Sequence, residues 1–260
     1  DAANRDAQES RGLGDVYKRQ DEYITNSTLT FTNCTQSVIV KKTELSGSKS
    51  IYIPSNGALS SPPSENYAFG TGDFTIEAWI RPAVNTTSQT LFDFRRLSAT
   101  QGLRIIQDAQ AIKVYNGTTL MVSSGNVVTT TGQWMHIAAV RSSNITQLYV
   151  NGAQLGGNYT DNNDYIYAGL YVGQDFNGAT NWTGHMDNVV VKKGVGDYTT
   201  GFQVPSQVDY NQANIVFGLD GEAPFLISTE EVYAKYSGQR SSSVTSKTID
   251  YENLAIIAED

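Results

Sequence analysis

Cysteine occurs once among the 260 residues, at Cys34. No disulfide can close within the chain, and no cysteine-based zinc site can be built. Charge is sparse as well: 17% of residues are charged, and the excess is acidic, with a net charge of −8. Nucleic acid is therefore not expected as a partner, because phosphate binding needs clustered Lys and Arg. No apolar run approaches the length of a membrane span, so membrane insertion is not expected either. Before Pro205 there is no amphipathic helix of useful length. What the chain does hold is 15 Tyr and 23 Gly against 6 Pro, a composition suited to many short strands and tight turns.

FTIEAWIRP, Phe74 to Pro82, shows the pattern most clearly. Phe74, Ile76, Ala78 and Ile80 fall on one face, and Thr75, Glu77, Trp79 and Arg81 on the other, the period of a strand. Its partner is GQWMHIAAVRS, Gly132 to Ser142, and Trp79 and Trp134 in these two segments are expected in the core. Further alternating segments lie at Thr28–Thr32, Val38–Lys42, Ser50–Pro54, Thr90–Arg95, Leu103–Gln107, Ala111–Val122, Leu170–Phe176 and within Trp182–Gly194. Asn116-Gly117 and Asn151-Gly152 mark hairpin turns. The stretch 55–66, rich in turn formers, reads as a loop. The class is all-β.

The ends differ from the middle. Asp15 to Gln20 resembles the translated end of a transposase adapter used in sequencing libraries, and residues 1–20 are expected to stand outside the fold as a leader. Residues 21–205 form the β domain. Residues 206–260 are expected to be a C-terminal extension or the start of a further module, with Ser228–Gly238 a short helix capped by Thr229.

Chemistry is hard to find. Asp73 and Glu77 are the nearest approach to a carboxylate pair, but four residues of strand separate them by about 13 Å. Glycoside hydrolysis needs about 5–9.5 Å. Asp73 is better placed to cap backbone N–H groups, and Glu77 to pair with Arg81 or Arg141. His136 and His185 sit in no nucleophile or metal motif. An enzyme is not expected.

The segments FGTGDFTIEAWIRP, TLFDFR, GQWMHIAAVR, LYVNG, LYVG and WTGHMDNVVVKKGVGDYTTGF, in this order, resemble the laminin-G-like branch of the concanavalin A-like lectin/glucanase superfamily over roughly Ser50 to Pro205. The closing KKGVGDYTTGFQVP is similar to that of such domains in tailed-phage virion proteins. The resemblance implies a two-sheet antiparallel jelly-roll sandwich with a short C-terminal appendage. Its function would be a non-enzymatic binding module of a virion appendage, fibre or surface decoration, recognising glycan or a neighbouring virion protein. The alternative is a secreted or cell-surface bacterial adhesin that binds extracellular polysaccharide. A homo-oligomer is compatible with either.

The resemblance also implies calcium as the cofactor to look for, held by rim-loop oxygens. Asp161, Asn163, Asp164, Asp175 and Asn177 are the candidates, although Asp and Asn are equally the ordinary residues of solvated turns. For a sugar, the loop aromatics Tyr159, Tyr165, Tyr167 and Trp182 are candidate stacking platforms, or else they cover the edge of the core.

Overall fold

The computed structural model describes residues 48–95, 101–166, 168–205 and 212–220, together with several isolated strands. The leader 1–20, Cys34, the expected strand Val38–Lys42 and Tyr167 lie outside the described residues. The strands are, in order, β1 (Leu29–Thr30), β2 (Thr43–Leu45), β3 (Ser48–Ile53), β4 (Ala58–Ser64), β5 (Phe74–Pro82), β6 (Ser88–Asp93), β7 (Leu103–Asp108), β8 (Ala111–Asn116) and β9 (Thr119–Asn126). They continue as β10 (Met135–Ser142), β11 (Ile145–Val150), β12 (Ala153–Thr160), β13 (Ala168–Val172), β14 (Gly184–Lys193), β15 (Ile215–Asp220), β16 (Phe225–Ser228), β17 (Tyr233–Tyr236), β18 (Gln239–Arg240) and β19 (Thr248–Ile249).

Two antiparallel sheets form a sandwich. The first runs β12-β11-β10-β5-β14-β15-β16, with β3 also pairing β14 and β2 pairing β3. The second runs β18-β17-β4-β13-β6-β7-β8-β9, and β1 and β19 pair separately. The alternation of β5 holds: Phe74, Ile76, Ala78 and Ile80 are buried in the core between the sheets. They meet Phe92, Phe94, Leu103, Ile105, Ile112, Val114, Leu170 and Val172 in one cluster. Burying each large side chain is worth about 1.5–3 kcal/mol, so this cluster is the main source of stability.

The β14 strand changes phase partway along. Its register with β5 shifts between Asp187 and Val190, and Asn188 has a positive φ of 48°. Met186 points into the core before this bulge, and Val189 and Val191 after it. An extra residue is how a strand moves its apolar set to the other parity.

Both expected hairpins are present. Val150 pairs with Ala153, and Asn151 and Gly152 both take positive φ, as a type I′ turn requires. The other turn is displaced by one residue. Asn116 pairs with Thr119, leaving Gly117 and Thr118 at the tip, with Gly117 at φ 55°.

Two expectations need correction. The stretch 55–66 is not all loop, since β4 runs through Pro62 and Pro63. These prolines lie past the residues that pair with β17 and beside a register shift against β13, so their missing N–H groups break no ladder. Within Ser228–Gly238 the described residues are strand where a helix is expected: β17 pairs with β4. Strand pairing outweighs the local helix signal there. Ile215, Phe217 and Leu219, within the stretch 206–260, belong to β15 of the first sheet and are buried.

Candidate functional site

The outer face of the first sheet collects the aromatic and ionisable residues. Directly paired residues of antiparallel strands share a face. Trp79 lies between His136 on one side and Asp187 on the other. One step along, Arg81 pairs with His185, which pairs with Tyr52. The Trp79 and His136 rings meet edge to face at 5.6 Å, and His185 contacts Tyr52 at 5.0 Å and Trp134 at 6.3 Å. Trp79, Trp134, Tyr52 and Arg81 are partly exposed. Trp79 and Trp134 are therefore on the outer face and not in the core as expected, because Ile80 and Met135 beside them take the inward positions.

Both histidines are buried. His185 Nδ1 lies 3.1 Å from the Ser50 hydroxyl. The Arg81 Nε donates to the Gly132 carbonyl at 2.9 Å, while its Nη1 is buried with no hydrogen-bond partner.

A strap covers the rest of this face. After β14 the chain turns back over the sheet, where Tyr198 and Phe202 stack on each other at 3.6 Å and pack on Ala138, Val140 and Tyr149. Asp197 pairs with Lys192 at 2.6 Å, its N–H donates to the Thr75 hydroxyl, and that hydroxyl donates to the Val195 carbonyl. The Phe202 N–H donates to the Gly152 carbonyl. A Cβ at Gly152 would lie 2.0 Å from the Phe202 oxygen, so the turn residue is glycine for two reasons.

Beneath the strap, Glu77 is 2% exposed. Tyr198 donates to its Oε2 at 2.9 Å, and His136 Nε2 lies 3.3 Å from the same oxygen. The Glu77 partners are thus Tyr198 and His136, not Arg81 or Arg141. Burial, then the Glu77 charge, push the Tyr198 hydroxyl pKa up. Asp73 Oδ1 accepts from the Ser143 backbone N–H. Glu77 is out of reach of a substrate and Asp73 is tied to a turn.

The loop residues named from sequence divide differently. Trp182 is wholly buried and donates its Nε1–H to Gln107 Oε1 at 3.0 Å. Tyr165 is 5% exposed, in the core, and donates to Asp161 Oδ2 at 2.9 Å. Neither ring can stack on a ligand, and both are corrected from rim to core. Tyr159 is half-buried against the core edge. The loop containing Tyr165 is pinned by its backbone bridge to Gly70, which turns the ring inward.

The candidate calcium ligands do not converge. Asp161 is fully buried and accepts from Thr146, Tyr165, and the backbone and side chain of Asn163. The Arg141 Nε stands 3.9 Å from it. Asn163 gives its carbonyl to Arg141. Asp175 Oδ1 accepts from the Ala179 and Thr180 N–H groups, while Asp164 and Asn177 are exposed. Among the described residues no group of three or more His, Cys, Asp or Glu could hold a metal ion. These residues do not fit calcium: the Asp161 oxygens are occupied and a cation already neutralises it.

Sheet-face aromatics could have been found from the sequence by taking Trp79 at its word, since it alternates with the core residues of β5. The strap could not, because nothing in GDYTTGF gives the direction of the chain after β14.

Among solved structures, a candidate carbohydrate-binding protein from Bacteroides ovatus is 18% identical with a TM-score of 0.51, the match covering 79% of this chain and 62% of that one. The chain thus spans less than two thirds of that protein. A pentraxin from Limulus polyphemus is 12% identical with a TM-score of 0.45, over 78% of this chain and 96% of that one. Domain 4 of the extracellular arabinanase AbnA from Geobacillus stearothermophilus, solved with arabinotriose, is 17% identical with a TM-score of 0.46, over 61% and 77%. No curated protein matches. The family described as the concanavalin A-like lectin/glucanases superfamily matches residues 45–195. That is more than half of the 260 residues, and the chain belongs to this superfamily.

Proposed function

We propose that the chain is a non-enzymatic glycan-binding module whose sugar platform is the outer face of the first sheet. The observation that carries this reading is the partly exposed set of Tyr52 on β3, Trp79 on β5 and Trp134 immediately before β10, flanked by Arg81. Flat rings beside a planar donor suit the apolar face and the hydroxyls of a pyranose. The name of the Bacteroides ovatus protein, which shares the fold, agrees with this class of ligand. Rigid strands beneath the rings keep the ordering cost of binding low.

Within that class, the module serves a phage virion protein, as an appendage, fibre or surface decoration. The support is the closing KKGVGDYTTGFQVP, which resembles virion domains and which forms the strap. A secreted adhesin with the same platform is the competing setting. Genes for capsid or tail proteins beside this one would favour the virion, and a secretion signal on the full-length product the adhesin.

A glycan array read with calcium and with chelator tests the binding. Capture of neutral glycans by the wild type, lost in Trp79→Ala and Trp134→Ala with unfolding unchanged, is the expected result. Absence of capture in both conditions would leave only a structural role.

A further inference from the structure

The outer face of the second sheet carries a row that the packing leaves half-open. Tyr171 on β13, Asp93 on β6, Arg104 on β7, Tyr115 on β8 and Leu120 on β9 are successive register partners. They therefore share one face. Asp93 is itself fully buried, so the open part of the row runs from Arg104 to Leu120. With strands about 4.8 Å apart it spans about 10 Å, room for a short saccharide. Tyr171, Arg104 and Tyr115 are partly exposed, and Leu120 is 46% exposed.

The two arginines on this face are not equivalent. Arg95 is 4% exposed and grips Asp93, with Nη2 at 2.6 Å from Oδ2 and Nε within 3.0 Å of both oxygens. Asp93 also accepts from the Arg95 and Phe176 backbone N–H groups. Its charge and its lone pairs are taken up. Arg95 then lies over the Phe176 ring at 4.6 Å.

Arg104 has no such partner. Its guanidinium lies over the Tyr115 ring at 4.6 Å, and among the described residues it forms no ion pair. Its Nε is buried and unbonded. Burial, then the like charge of Arg95, hold its pKa below the ordinary value, while Asp93, Tyr115 and Asp175 act in the opposite sense. Asp175 is engaged at Oδ1 by two loop N–H groups. A cation left short of hydration and hydrogen bonds is stabilised by an arriving anion.

We propose that Arg104 is the anion subsite for an acidic glycan, its guanidinium taking the carboxylate or sulfate oxygens while the sugar lies along the open stretch from Arg104 over Tyr115 to Leu120. Guanidinium is the side-chain group that meets a two-oxygen anion in a fixed plane, and the ring beneath it holds that plane. The acidic net charge of −8 opposes anion capture at long range. Recognition is accordingly short-range, at this one cation. The proposal rests on the glycan-binding reading but uses the opposite face of the sandwich, so the two can fail separately.

The test is calorimetric titration of the full chain with a hexuronate oligosaccharide, a sulfated oligosaccharide and a neutral one of equal length. Wild type, Arg104→Gln, Arg104→Lys and Trp79→Ala are compared, each checked by its thermal unfolding. The acidic oligomers should bind about tenfold or more tightly than the neutral one, as a charge-assisted pair provides. Arg104→Gln should remove that preference, Arg104→Lys should keep part of it, and Trp79→Ala should weaken binding of the neutral oligomer while the acidic ones still bind. The hexuronate and sulfated arms identify the oxyanion. Equal binding of acidic and neutral oligomers by wild type, or a preference that survives in Arg104→Gln, overturns the proposal while leaving the first platform in place. Binding of none of the three overturns both.

Discussion

The Tyr198 hydroxyl donates to Glu77 Oε2 at 2.9 Å, although 121 residues separate the two in sequence. This bond fastens the strap to the middle strand of the first sheet. In Tyr198→Phe, Glu77 keeps only His136 beside a carboxylate that stays under the strap. Leaving a buried acceptor short of a donor costs about 1–3 kcal/mol, so the unfolding free energy should fall by that amount, read as a lower urea midpoint at unchanged slope. An unchanged midpoint would mean that the bond contributes nothing net.

Asp161 and Arg141 make a second buried pair, both fully excluded from solvent. Two nitrogens of Arg141, Nε and Nη2, have no hydrogen-bond partner, so the Asp161 charge is what offsets the buried cation. Asp161→Asn should destabilise by about 3–5 kcal/mol, the usual cost of stranding a buried charge. Chemical unfolding measures it, and a loss within surface-mutation range would show that the Gly70 and Asn163 carbonyls suffice for Arg141.

Calcium should leave thermal unfolding unchanged, because a ligand raises the melting temperature only where the native state binds it. The Asp161 oxygens already accept four hydrogen bonds, and Asp175 is committed to its own loop. A rise in melting temperature that chelator reverses would restore a calcium site.

Alkaline pH should act through two tyrosines. Burial, followed by the Asp161 charge, pushes the Tyr165 pKa up, and burial followed by Glu77 does the same for Tyr198. In the unfolded chain both ionise near pH 10. Above that pH the unfolded state holds fewer protons than the folded one, so stability falls as pH rises. Their contribution is complete below about pH 10. The slope should be about 1.4 kcal/mol per pH unit from Tyr165, and less from Tyr198, which is partly exposed and so screened by solvent. Unfolding midpoints between neutrality and the alkaline range, compared with Tyr165→Phe, measure this. A flat profile would count against it.

The β5 alternation and the Asn151-Gly152 turn were legible because each depends on local pattern. Trp182 and Tyr165 were misplaced for a different reason. Polar neighbours made their segments look like rim, whereas Gln107 and Asp161 supply the buried hydrogen bonds that let the two rings turn inward. Glu77 was misassigned because its partner lies 121 residues away, on a segment whose path over the sheet no local pattern encodes. The β17 strand was read as a helix because Glu230 and Glu231 suit a first helical turn, but the edge of β4 decides its conformation.

The family match stops at residue 195, where the strap begins. The recurring pattern and the physical unit therefore have different borders. A chain trimmed to the pattern would uncover Ala138, Val140 and Tyr149 as an apolar patch beside Glu77, and would also lose the Phe217 side chain from the core. Such a fragment should be prone to self-association through that bared face. The residues that give this sandwich a finished exterior are those the family signature leaves out.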